Sequence, residues 1–315
     1  MMDDDVEALV RESLRQALAG SAADISTALA EFDWQDLANT DEAFAFTALF
    51  EEQGYLAADT NALDVAIATM LGLDGEAKIL WPVKSQPGGG ELGGSGVVTV
   101  DGIALRGRVT ATDVVLAPVA GRLQMLVVAS VEESALGGMA RGSAWMRERV
   151  WGTPTSDFGP WSDIERRARL AIASELVGLA HHIVDLAAEQ VSTRRQFGRP
   201  IATNQSVRFR LAEAHVEMVG ARALIAAAWQ DGSSAAAQWA KTVAGSAHDA
   251  VAKHAIQVCG AVGLSDEHPL PALVRRGIAL DALLGSASSQ QVEIGQELRS
   301  KPSSMELAAL AVGRF

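Results

Sequence analysis

The chain has 315 residues, with 26 Lys and Arg against 39 Asp and Glu, for a formal net charge of −13. That length supports two or three packed units around a sizeable core. The acidic balance argues against a non-specific nucleic-acid binder or a protein held to an anionic membrane surface. One cysteine, Cys259, excludes an intrachain disulfide and a zinc–cysteine cluster. The opening MMDDDVEALV is acidic, unlike a signal or transit peptide. Charged residues interrupt the long apolar runs, so no membrane span is expected and the chain reads as cytoplasmic.

Residues 1–78 are expected to be a helical unit. Val6, Leu9, Val10, Leu14 and Leu18 follow three-four spacing, as Phe44, Leu49, Tyr55 and Leu56 do more loosely. Asp41-Glu42 suits a helix N-terminus, and Ala62–Leu73 reads as a more continuously apolar helix. The character changes in residues 79–158. Gly/Pro clusters at 86–96 are turn or linker chemistry. The β-branched runs VVTVDGIALRGRV, ATDVVLAPVA and RLQMLVVASV predict a small antiparallel β unit, with Asp101-Gly102 as a hairpin signal. Residues 159–315 return to the helical period, with helices predicted at about 162–191, 203–230, 233–260 and 288–314. Leu170, Val177, Ala180 and Val184 form an apolar stripe on the first of these. Leu211, Ala214, Met218, Ala221 and Ile225 form one on the second. The Ala- and Gly-rich faces favour close packing in a C-terminal four-helix bundle. The fold class expected is mainly α with a small central antiparallel β domain.

Several features fail as chemistry. The glycines at 88–96 lack the Gly-Lys-Ser/Thr and following helix of a phosphate loop. His181 and His182 point about 100° apart on a helix, and His248 and His254 are six apart, so neither pair has metal-ligand spacing. Cys259, in AIQVCGAVG with no cation near it in sequence, reads as a buried inert thiol. The stretch STRRQFGRPIATNQ (192–205) differs from these. It gathers Arg194, Arg195 and Arg199 between one helix end and the next helix start. Forked donors beside a helix N-terminus suit phosphate. The alternative is a solvated turn whose arginines complement a helix C-terminus.

Two separated motifs in matching order resemble the acyl-CoA dehydrogenase family, flavoenzymes that desaturate acyl-CoA thioesters. Arg194-Arg195-Gln196-Phe197-Gly198-Arg199-Pro200-Ile201, with Gln205 following, is similar to the family's R-x-x-F-G-x-x-I/L-x-x-x-Q element. Gln257-Val258-Cys259-Gly260-Ala261-Val262-Gly263 is similar to its Q-x-x-G-G-x-G element, and Glu267-His268-Pro269-Leu270 to its acidic-x-Pro segment. The resemblance implies FAD as cofactor. The residues implied to meet the ADP half of a flavin held by a neighbouring subunit are Arg194, Gln196, Phe197, Gln205, Gln257, Gly260 and Ala261. Ala261 replaces the motif's second glycine.

The departures matter as much. In the family's catalytic loop a Glu removes the α-proton; here the matching stretch is Leu283-Leu284-Gly285-Ser286-Ala287-Ser288, with Leu284 at the base position. The family's other base position precedes an arginine on the first bundle helix, and there Arg169 is preceded by Ala168. Glu175 and Glu293 match neither position and read as solvated or ion-paired carboxylates. The family's flavin-ring segments have no counterpart around 80–96. The resemblance therefore implies the base-lacking subunit of an actinobacterial α2β2 acyl-CoA dehydrogenase. The expected partner is a homologous subunit carrying the Glu base and most of the acyl-CoA site, with CoA esters of sterol side chains among the candidate substrates. The alternatives are a self-sufficient homo-oligomeric dehydrogenase with an unusual base, and a non-catalytic scaffold or acyl-CoA binding protein.

Overall fold

A computed structural model describes residues 4–20, 25–73, 77–82, 90–92, 96–133 and 145–300. The N-terminal helices are α1 (Asp4–Gly20), α2 (Ile25–Glu31), α3 (Trp34–Thr40), α4 (Glu42–Leu56) and α5 (Ala62–Met70). Asp41 caps α4, its carboxylate accepting from the Phe44 N–H at 2.9 Å, which satisfies one of the free donors of the first turn. Leu14 and Leu18 of α1 are buried, whereas Val6 and Leu9 are exposed. The expected stripe is therefore a core contact only in the second half of that helix.

Among the described residues the strands β1 (Lys78–Ile79), β2 (Gly90–Leu92), β3 (Val98–Ala104), β4 (Val115–Val119), β5 (Arg122–Glu133) and β6 (Met146–Pro160) form one sheet in the order β1-β4-β5-β6-β3-β2. Its pairs are antiparallel except β1 with β4, which is parallel. The hairpin expected at Asp101-Gly102 is absent, because both residues lie mid-strand in β3, paired with β6. Asp101 ion-pairs with Arg149 across the strands at 2.9 Å. A Cβ on Gly102 would come within 2.9 Å of Leu80, so this glycine serves a close backbone approach rather than a turn. Of the expected linker, Gly90-Glu91-Leu92 pairs with β3 as an edge strand; Gly88, Gly89 and residues 93–95 lie outside the described residues.

The C-terminal helices are α6 (Trp161–Thr193), α7 (Gln205–Asp231), α8 (Ser234–Cys259), α9 (Leu270–Ala282) and α10 (Ala287–Ser300). Residues 301–314 of the last expected helix lie outside the described residues. The helix α9 was not anticipated. Its short pattern carries Gly277 and follows Pro269. Gly277 is required because the His248 ring of α8 occupies the space where a Cβ would stand, 2.0 Å from Cε1.

Helix α6 is the axis of the molecule, with Leu170, Ile172, Leu176, Val177, Leu179, Ala180 and Ile183 all buried. By length and composition it could cross a membrane, yet 72% of its apolar window is buried inside the fold, as for a core helix. It meets α4 at a crossing made by two glycines. A Cβ on Gly54 would stand 2.0 Å from the Glu175 carbonyl oxygen, and one on Gly178 would stand 2.0 Å from that of Glu51. The sheet docks through Trp81, whose ring faces Trp161 of α6 at 5.8 Å and whose Nε1 donates to Asp64 of α5 at 2.7 Å.

Candidate functional site

The loop after α6 folds as a two-residue hairpin. Strands β7 (Arg195–Gln196) and β8 (Arg199–Pro200) pair across Phe197 and Gly198, at φ 53° and 78°. Positive φ at both central positions is the geometry that matches hairpin twist. Gly198 adopts it freely, whereas an aromatic in the left-handed region is strained. Phe197 nevertheless projects fully, at 99% exposure. The hairpin is tied off by the Ile201 N–H donating to the Arg194 carbonyl at 3.0 Å. Arg199 reaches the Asn204 side chain at 3.3 Å, and Arg208 donates to the Ala202 carbonyl at 2.9 Å, which fixes the start of α7 and places Gln205 on its exposed first turn.

The second motif ends α8. Gly260 adopts φ 66°, ψ −151°, a conformation essentially reserved for glycine. The guanidinium of Arg194 donates from Nη1 to the Cys259 carbonyl at 3.0 Å, and a Cβ on Gly260 would lie 3.8 Å from that nitrogen. Arg194 therefore joins two motifs far apart in sequence into one patch. Gln196, Phe197, Gln257 and Ala261 are exposed around it, while Arg194 and Gly260 are half-buried. The Cys259 thiol is buried, and burial pushes its pKa up. One expectation is corrected here: a cation does lie nearby, since Arg194 pulls the thiol the other way. Sequence separation hid that contact.

This patch has the chemistry of a cofactor half-site. Arg194 is held through Nη1 alone, which leaves forked donors for a pyrophosphate. Phe197 offers an aromatic face to something outside its own fold. Gly260 lets a ligand approach the backbone, as an L side chain there would not. These residues fit the ADP portion of FAD.

The loop Leu283–Ser288, where the resemblance would put a base, is built in the opposite sense. Leu284 is completely buried at φ 56° and Gly285 has φ 94°. Gln290 donates to the Leu284 carbonyl at 2.6 Å, and Lys241 donates to the carbonyls of Gly285 at 2.6 Å and Asp281 at 2.8 Å. The Asp281 carboxylate accepts from the Ala287 N–H at 3.0 Å. Lys241 is wholly buried, and burial lowers its pKa to about 8. The loop is thus clamped by side chains from α8 and α10, and its leucine is core. Ala168, before Arg169 on α6, is also fully buried.

Beside Leu283, a space lined by Phe50, Leu63, Trp145, Ile172 and Leu280 closes to about 10 Å³, at the lower limit for a single water. Its polar side is a network that the sequence did not announce. Arg276 of α9 forks onto Glu175 of α6 and reaches Asp59 at 3.0 Å. Glu175 accepts in turn from Gln53 at 2.9 Å, and Gln53 from Thr60. Burial opposes the Arg276 charge, yet Glu175 and Asp59 hold its pKa above the ordinary value. Glu175 is ion-paired, as expected for one of its two readings, and at 4% exposure it is not solvated. Glu293 lies on the exposed face of α10.

Residues 166–298 match the acyl-CoA dehydrogenase C-terminal domain. Acyl-CoA dehydrogenase IpdE2 of Mycolicibacterium smegmatis is 31% identical over 136 residues, covering 43% of this chain and 44% of that one. IpdE2 of Mycobacterium tuberculosis is 27% identical over 190 residues, covering 60% and 58%. The chain thus matches about half the length of these curated relatives. The ChsE4-ChsE5 complex from Mycobacterium tuberculosis has the same fold, with a TM-score of 0.71 at 19% identity over 95% of this chain and 98% of that one. The Tcur3481-Tcur3483 steroid ACAD follows at 0.70 and 18%, over 95% and 99%. Residues 166–298 thus match the C-terminal domain of the acyl-CoA dehydrogenases, a family of FAD-dependent flavoproteins, and the whole chain shares the fold of these solved structures.

Proposed function

We propose that this chain is the base-lacking subunit of a heteromeric acyl-CoA dehydrogenase. It offers the Arg194–Gly260 patch to FAD whose flavin ring, base and acyl cleft belong to a homologous partner. The observation that carries this reading is the contrast within one fold. The Arg194–Gly260 patch faces outward, while Leu284, at the expected base position, is fully buried and its neighbour Leu283 lines a space of only about 10 Å³. A symmetric dimer of this chain would repeat the closed cleft twice, since an isologous interface duplicates each patch. A heteromer combines one open half-site with one working cleft.

When bound, FAD supplies the two-electron acceptor for α,β-desaturation of an acyl-CoA thioester. This chain's contribution is binding and orientation. Arg194, held by the Cys259 carbonyl, directs its free donors at phosphate. Phe197 covers the adenosine portion from water, and Gln196, Gln205 and Gln257 donate or accept at its polar edge. Gly260 allows backbone approach, and the Ala261 methyl narrows that approach slightly. The heteromeric and steroid descriptions of the two solved structures support an α2β2 assembly acting on CoA esters of sterol side chains. The self-sufficient alternative needs a base, and the carboxylate nearest the closed space, Glu175, is engaged by Arg276 and Gln53.

The reading is tested by purifying the chain alone and with a co-expressed acyl-CoA dehydrogenase encoded beside it. The expected result is FAD and dehydrogenase activity in the complex only. Arg194→Ala in the complex is expected to weaken FAD retention by about 10- to 100-fold, the worth of one hydrogen bond to a charged group. Stoichiometric FAD with full activity in the isolated chain would refute it.

A further inference from the structure

Near its C-terminal end α4 presents Tyr55, the only tyrosine of the chain, to the flank of α6. Three donors converge there. The Tyr55 hydroxyl donates to Asp185 Oδ2 at 3.0 Å, and His181 Nε2 stands 3.6 Å from the same oxygen. His181 and Asp185 are four apart on α6, the spacing that sets two ligating side chains on one helical face. The Tyr55 ring lies against two imidazoles, its centroid 5.1 Å from that of His181 and 5.4 Å from that of His182. The adjacent histidines thus grip the ring that brings in the third donor. Among the described residues no three His, Cys, Asp or Glu side chains gather; here the third donor is a phenol.

Donors sharing one Zn²⁺ ion at about 2.0–2.1 Å in a tetrahedron stand about 3.3 Å from one another. The two separations at Asp185 Oδ2 lie on either side of that value. The donors are also uncommitted. A gap of 3.6 Å is too long for a hydrogen bond, and among the described residues His181 makes none, while the Asp185 side chain accepts only from Tyr55. The side chains of His181 and Asp185 are 43% and 50% exposed, so an ion can enter and water can complete its shell. Arg15 lies over the Tyr55 ring at 5.7 Å, but its charge is answered by Glu12 at 3.3 Å and Glu52 at 2.9 Å.

We propose that His181 Nε2, Asp185 Oδ2 and Tyr55 Oη bind a divalent transition-metal ion of the Cu²⁺ and Zn²⁺ class, which ties α4 to α6. Imidazole selects this class over Mg²⁺ and Ca²⁺, which take oxygen shells. The ion replaces the hydrogen bond between Tyr55 and Asp185, and the phenol proton passes to solvent. None of these groups is used by the FAD half-site, so the two readings stand or fall separately.

The test titrates chelator-stripped full-length chain with CuCl₂ and ZnCl₂, followed by calorimetry and absorption. One ion per chain is expected, with Cu²⁺ held more tightly than Zn²⁺. Copper is expected to raise a phenolate-to-copper absorption band, which only Tyr55 can supply. His181→Ala is expected to weaken Cu²⁺ binding at least ~10-fold. Tyr55→Phe keeps the ring against both imidazoles and is expected to abolish the band. His215→Ala, at an exposed position of α7, is expected to change neither. Equal weakening by His215→Ala would mark an adventitious ion only. That result, wild-type affinity in His181→Ala, no copper band in the wild type, or a band that survives Tyr55→Phe would overturn the proposal.

Discussion

Arg276→Met isolates the buried network around Glu175. The guanidinium is 12% exposed and Glu175 is 5% exposed at the side chain, and the pair is completed by Asp59 at 3.0 Å and Gln53 at 2.9 Å. Methionine keeps much of the volume and removes the charge, leaving the Glu175 carboxylate buried with Gln53 as its donor. Removing one member of a buried pair costs about 3–5 kcal/mol. Part of this is recovered by adding Glu175→Gln, which takes away the orphaned charge while keeping an acceptor for Gln53. The double variant is expected to regain at least ~1 kcal/mol over Arg276→Met. Urea unfolding of the wild type, both single variants and the double variant measures each value and their coupling. A loss below about 1 kcal/mol for Arg276→Met, the range of an exposed pair, would refute the argument. Strict additivity in the double variant would refute it equally.

Three further perturbations follow from single contacts. Burial raises the Asp64 pKa to about 7, against the bond from Trp81. A raised folded pKa means stability is fully present below the unfolded value near ~4 and is lost as pH rises through about 7. Asp64→Asn is expected to flatten that slope in pH-dependent unfolding, and an unchanged slope would contradict it. Gly178→Ala sets a methyl 2.0 Å from the Glu51 carbonyl oxygen. It is expected to destabilise by about 1–3 kcal/mol or more because backbone must move, while a neutral result would deny the close crossing of α4 and α6. Phe197→Ala removes a side chain that is 99% exposed. It is expected to leave unfolding within about 0.5 kcal/mol of wild type while weakening FAD retention in the complex; a large stability loss would mean Phe197 packs at home.

Much of this was legible from residues alone. The period switch from helix to β and back located the sheet, and Asp41 announced the start of α4 because its side chain caps locally. Both motifs were legible because each is short and contiguous, although their meeting through the Arg194–Cys259 bond is tertiary. What escaped depended on contacts between distant segments. Asp101-Gly102 has turn chemistry, yet Leu80 packing on Gly102 overrides it. Helix α9 was hidden by Pro269 and by Gly277, which is glycine only because His248 arrives from α8. The Glu175–Arg276 network joins residues 101 apart, and nothing in either neighbourhood marks the pair. That Leu284 is wholly buried in a loop clamped by Lys241 and Gln290 could be seen only in three dimensions.

The claim that this chain completes a flavin site belonging to another subunit is tested most directly by the FAD-to-chain ratio of the co-purified complex, taken from its flavin absorption band and compared with the chain alone. One FAD for each pair of unlike subunits, and essentially none on the isolated chain, is the predicted result. One FAD on every chain, including the isolated one, would contradict it.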